Sequence, residues 1–74
     1  MVHLNPNPTN GRVTVSGIET TDVMYRLFDG KGNMLTRKEP LENGEFSLEN
    51  YPSGTYYVWI YANSTYISRI IVKI

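Results

Sequence analysis

The feature that most constrains this chain is a period-two alternation of apolar and polar residues, broken by turn signals every 8–12 residues or so. "RVTVSG" puts Val13 and Val15 on one face, with Arg12 and Thr14 on the other. "DVMYRLFD" sets Val23, Tyr25 and Leu27 against Met24, Arg26 and Phe28. "GKGN" suits a hairpin connection to "MLTRKE", and "NGEFSLEN" opens on an Asn-Gly turn and carries Phe46 and Leu48 inward. After the turn at Pro52-Ser53-Gly54, "YYVWIYA" alternates Tyr56, Val58 and Ile60 with Tyr57, Trp59 and Tyr61. "NST" turns the chain again, and "YISRIIVKI" completes it. Both parities of that last segment carry isoleucines; the set Tyr66, Ile70, Val72 and Ile74 is assigned to the core. No window has the i, i+3, i+4, i+7 spacing of a helix.

With a short extended piece near residues 2–4, the pattern predicts about seven strands and no helix longer than a turn. That count suits an all-β, immunoglobulin-like antiparallel sandwich without the cysteine pair of antibody domains. Val13, Val15, Val23, Tyr25, Leu27, Phe46, Leu48, Tyr56, Val58, Ile60 and Val72 are the predicted core. At 74 residues the chain is one domain. A chain this short hides only ~60% of its unfolded surface, so its core is thin. Six tyrosines, one tryptophan and two phenylalanines favour pleated sheet. Exposed strand edges in so small a fold invite strand-to-strand dimers or swapping.

Catalytic chemistry finds little footing. There is no cysteine, so neither a disulfide nor a thiolate metal site can form. Seven basic residues balance seven acidic ones, which gives no bias toward nucleic acid or anionic membrane. His3 has no acidic neighbour in sequence and reads as a solvated terminal residue. The acids Glu19, Asp22, Asp29, Glu39, Glu42, Glu45 and Glu49 are scattered over turns and strand edges. "DGKGN" has the spacing of neither a phosphate loop nor an EF-hand and reads as a hairpin turn. Asn63-Ser64-Thr65 matches a glycosylation sequon, which has meaning only in a eukaryotic secretory protein. No enzyme, metal or cofactor is expected. The row Tyr57, Trp59, Tyr61 falls on the outer face of its sheet. It forms either a platform for sugars or partner proteins, or a surface covered by cross-strand neighbours such as Arg26, Phe28, Ile67 or Ile71.

The opening "NPNPTNG" is stiff and polar: its prolines remove backbone donors, and Asn10-Gly11 favours a tight turn. In order, "NPNPTNGRVTVSG", "YRLFDGKGNML", "FSLENYPSGTYYVWIYA" and the closing "IIVKI" resemble the type A C-terminal sorting domain of the type IX secretion system of Bacteroidota. The resemblance runs from Asn5 to Ile74, with Tyr51 standing where leucine is more usual and Gly30 adding a second hairpin glycine. It implies a C-terminal secretion signal that directs an attached cargo across the outer membrane, recognised by the translocon and usually removed by a surface sortase. The protein would then be exported, passing the periplasm on its way to the cell surface or beyond. Met1 would be an expression start, and the chain a C-terminal piece that follows an N-terminal cargo domain. Residues 1–11 would be a linker leading into the domain at 12–74. The motif residues carried over are Pro6, Asn7, Pro8, Gly11, Gly54, Tyr56, Ile71, Val72, Lys73 and Ile74. Gly54 would supply a turn conformation closed to other residues, and Tyr56 would fix register by burial. The alternative from another class is a surface-retained adhesive or carbohydrate-binding sandwich that uses the aromatic row.

Overall fold

The computed structural model describes residues 2–18 and 22–74; Met1 and Glu19 lie outside the described residues. Seven strands form two antiparallel sheets packed face to face, with no helix among the described residues. One sheet has the order β1-β2-β5, from His3–Asn5, Arg12–Ser16 and Glu45–Ser47. The other has the order β4-β3-β6-β7, from Glu39–Pro40, Met24–Asp29, Gly54–Ala62 and Thr65–Lys73. The all-β sandwich read from the alternation is therefore the architecture observed.

The hairpin β6–β7 dominates, with unbroken register from Gly54 opposite Lys73 to Ala62 opposite Thr65. Its two-residue turn puts Asn63 and Ser64 at positive φ, the conformation that matches the twist of the strands. Asn43-Gly44 does the same between Glu42 and Glu45, whose main chains exchange bonds of 3.1 and 3.0 Å. The "DGKGN" turn is held by Asp29. Its Oδ1 accepts from the amides of Lys31 and Asn33, and its Oδ2 from the Asn33 side chain.

The strand expected at "MLTRKE" is largely absent. Met34 bridges Phe28, but the Leu35 and Thr36 amides then converge on the single Leu27 carbonyl, at 2.7 and 3.4 Å. The Leu27 amide is meanwhile taken by the Thr36 hydroxyl. A side chain thus replaces the ladder, the chain bulges, and pairing resumes only at Glu39–Pro40. Pro40 is tolerated there because β4 is an edge.

Val13, Val23, Leu27, Phe46, Leu48, Tyr56, Val58, Ile60 and Ile71 are buried between the sheets. Val15 and Tyr25 are half-buried rather than core; the Tyr25 ring stacks on Phe46 of the opposite sheet at 5.2 Å. The assignment in β7 is inverted. Ile71 is fully buried, whereas Tyr66, Ile70, Val72 and Ile74 are exposed. The turn decides this: Tyr56 faces inward, and its cross-strand partner is Ile71, so Ile71 shares its face while Val72 lies outside with Thr55.

Candidate functional site

The opening segment and the last strand meet along one edge of the sandwich. β7 is an edge strand, so its even residues turn their main-chain groups away from β6. The Asn7 side chain fits that edge as a peptide group would. Its Nδ2 donates to the Ile70 carbonyl at 2.8 Å, and its Oδ1 accepts from the Val72 amide at 3.0 Å. Thr9 continues the ladder with its own main chain, donating to the Val72 carbonyl at 2.8 Å and accepting from the Ile74 amide at 2.9 Å. Thr9 thereby bridges Lys73 in parallel. Pro6 and Pro8 flank Asn7 on the surface, and both Asn–Pro bonds are cis.

Thr9 is the anchor of this arrangement. It is only 1% exposed. Its hydroxyl donates to the Arg12 carbonyl at 2.8 Å and accepts from the Gly11 amide at 2.9 Å. The tight turn expected at Asn10-Gly11 is made by this hydroxyl, and Asn10 is not at positive φ. Gly11 is needed for room as well as conformation. It sits at φ +158, and an added Cβ would lie 2.5 Å from Glu49 Cγ and 3.3 Å from its Cα. The Gly11 carbonyl accepts from the Leu48 amide at 2.7 Å, which ties the segment to the smaller sheet.

Gly54 and Tyr56 hold the partner strand. Gly54, opposite Lys73, sits at φ +154, a region that side-chain-bearing residues avoid. The buried Tyr56 donates its hydroxyl to the Pro52 carbonyl, four residues upstream, and packs against Tyr51. That contact pins the start of β6 much as a tyrosine corner pins a sandwich strand. Lys73 is half-buried, because its parity is that of Ile71.

The row Tyr57, Trp59, Tyr61 does lie on the outer face, half-buried. The Trp59 ring packs against Phe28 at 4.9 Å and stacks on Tyr66 at 4.7 Å. Tyr61 meets Tyr66 at 5.8 Å and carries Lys38 Nζ 4.4 Å over its ring. Neighbouring side chains thus lie against the rings that a flat ligand would stack on. The cover comes from Phe28 and Tyr66; of the other neighbours expected to cover the row, Ile71 is in the core and Ile67 packs against it from the inner face.

Charge chemistry here is surface chemistry. Arg12 reaches the half-buried Glu45 and the exposed Glu49 at 3.4 and 3.7 Å. Hydrogen bonds from the Asn33 side chain, then the Asn33 and Lys31 amides, hold the Asp29 carboxyl below its ordinary range. Burial, reinforced by Glu39, raises the Tyr25 phenol above its ordinary value. Among the described residues, no group of three or more His, Cys, Asp or Glu could hold a metal ion.

The sequence motifs had not singled out Thr9, although it is the one buried polar residue among those described. The signal was present in "NPTNG", where a lone threonine precedes a glycine by two residues.

The fold and this joined edge define a small sandwich whose first motif and last strand are one hydrogen-bonded unit. The chain belongs to the secretion system C-terminal sorting domain family, whose profile matches residues 3–73. No curated protein matches the sequence. It is a type IX secretion sorting signal, and a protein bearing it is exported by that system.

Proposed function

We propose that this domain directs an attached N-terminal cargo across the outer membrane, is recognised there as a folded unit by the type IX translocon, and is then removed by a surface sortase. The observation that carries this reading is the family match over residues 3–73. The joining of Asn7 and Thr9 to Ile70, Val72 and Ile74 supports it, since residues far apart in sequence become one surface. On this reading the recognised surface includes Pro6, Pro8, Val72, Lys73 and Ile74, while Asn7 occupies the edge between Ile70 and Val72. Gly11, Gly54, Tyr56 and Ile71 act from beneath by fixing the two strands. The cargo leaves from the side of residue 1, and the cut falls near or upstream of Pro6.

Deleting residues 70–74 from a tail fused to a cargo tests the reading by fractionation. The deletion is expected to leave the cargo in the periplasm. Lys73→Ala, which should leave the fold intact, separates recognition of the end from mere unfolding and should slow processing. Efficient export and processing of both variants would refute the sorting role of this strand.

A further inference from the structure

The edge of β7 is already occupied by a substitute for a strand, and the two parts of that substitute differ in how firmly they sit. Thr9 is buried and fixed through both its hydroxyl and its main chain. Asn7 is exposed and holds the edge by its side-chain amide alone. Such side chain–backbone bonds, made in water, exchange readily with others of the same kind. Beyond Asn7, from Ser68 back to Tyr66, the cover on the edge among the described residues is Arg69 Nη1, which donates to the Ser68 carbonyl at 3.0 Å. The side chains flanking the edge on the outer face are apolar at alternate positions. Tyr66 is 50%, Ile70 54% and Val72 37% exposed.

We propose that the domain is read by strand addition: an extended strand of the recognising protein pairs with β7 over Tyr66–Val72, displacing the Asn7 side chain and stopping at Thr9. This rests on the sorting reading above and names how that surface is read. The segment seated on the edge shows what fits there, namely a peptide group offering one donor and one acceptor at the spacing of alternate residues. The occupant is therefore an extended main chain whose alternate apolar side chains lie over Tyr66, Ile70 and Val72. Asn7 keeps the edge closed to other strands until that partner arrives.

Two substitutions act in opposite directions. Ser68→Pro removes a donor that points away from β6, so the β6–β7 ladder is kept while the edge is blocked. Asn7→Ala opens the edge without burdening the core. In a Bacteroidota host, cargo carrying S68P should be exported at least tenfold less than the parent, with the circular dichroism spectrum of the isolated domain unchanged. Cargo carrying N7A should be exported as well as the parent or better, with the Val72 amide exchanging at least tenfold faster. If S68P proves unfolded, the N7A arm stands alone: loss of export with unchanged melting would mean that Asn7 itself is read, and would overturn strand addition. A folded S68P exported like the parent also overturns it. So does N7A that only pairs with itself by light scattering while its export is lost, which would give the edge to a second copy. Failure of the sorting reading is distinct, because the 70–74 deletion would then be exported too.

Discussion

At the scale of single residues, Ile71 and Val72 show where the physics of this fold sits. They are neighbours of similar character, yet Ile71 is 0% and Val72 37% exposed. Ile71→Ala should cost about 2–4 kcal/mol, a large share of the stability of so small a domain, whereas Val72→Ala should cost under ~1 kcal/mol. Chemical denaturation of the two variants checks this, and equal losses would contradict the register. Composition could not separate the two, because both parities of "YISRIIVKI" carry isoleucines. The inward set Tyr56, Val58, Ile60 and the turn at Asn63-Ser64 were nevertheless legible, and pairing across a two-residue turn puts Ile71 opposite Tyr56. Tyr25 adds a pH signature. Its phenol pKa is raised above the ordinary 10.0, chiefly by burial, so the fold favours the neutral form. That stability is fully present below pH 10.0 and lost as pH rises through the raised value. Alkaline unfolding should therefore move to higher pH in Tyr25→Phe, and an unchanged midpoint would count against the burial of this hydroxyl.

At the scale of elements, the opening segment is joined to the last strand. Its prolines and asparagines announced an irregular stretch, but nothing local in "NPNPTNG" says that it will meet residues more than sixty positions away. Such contacts are set by the topology, which returns the last strand to the edge nearest the first turn. Thr9→Val keeps the shape and removes the hydroxyl, leaving the Gly11 amide and Arg12 carbonyl without their partner. The expected loss is about 1–3 kcal/mol, with faster exchange of the Gly11 and Ile74 amides. Stability within a few tenths of the parent would show that Thr9 is no anchor. Gly11→Ala should destabilise by a similar ~1–3 kcal/mol, through its backbone conformation and its approach to Glu49. The fourth strand was misplaced for the opposite reason. "MLTRKE" alternates well enough to pair, but the Thr36 hydroxyl takes the Leu27 amide and the ladder breaks.

At the scale of the whole molecule, the sandwich manages its edges unequally. β1, β4 and β5 are two or three residues long, and β4 carries a proline, whereas β7 is a nine-residue edge. The opening segment covers the end of that long edge, so Asn7 and Thr9 sit where the fold is most able to pair. The sandwich itself was legible from period and turn spacing. The meeting of its ends was not, because hydrogen bonds between an edge and an irregular segment leave no periodic trace. Aromatic cover behaved similarly: the outward row was visible in sequence, while its neighbours Phe28 and Tyr66 became so only through the strand register. These residues are expected to suffice as an export address. Residues 1–74 fused behind a periplasmic reporter, in a Bacteroidota host with and without a working type IX system, test it most directly. The reporter should appear outside the cell in the first strain and stay in the periplasm in the second; retention in both, or release from both, would rule out sorting by this domain.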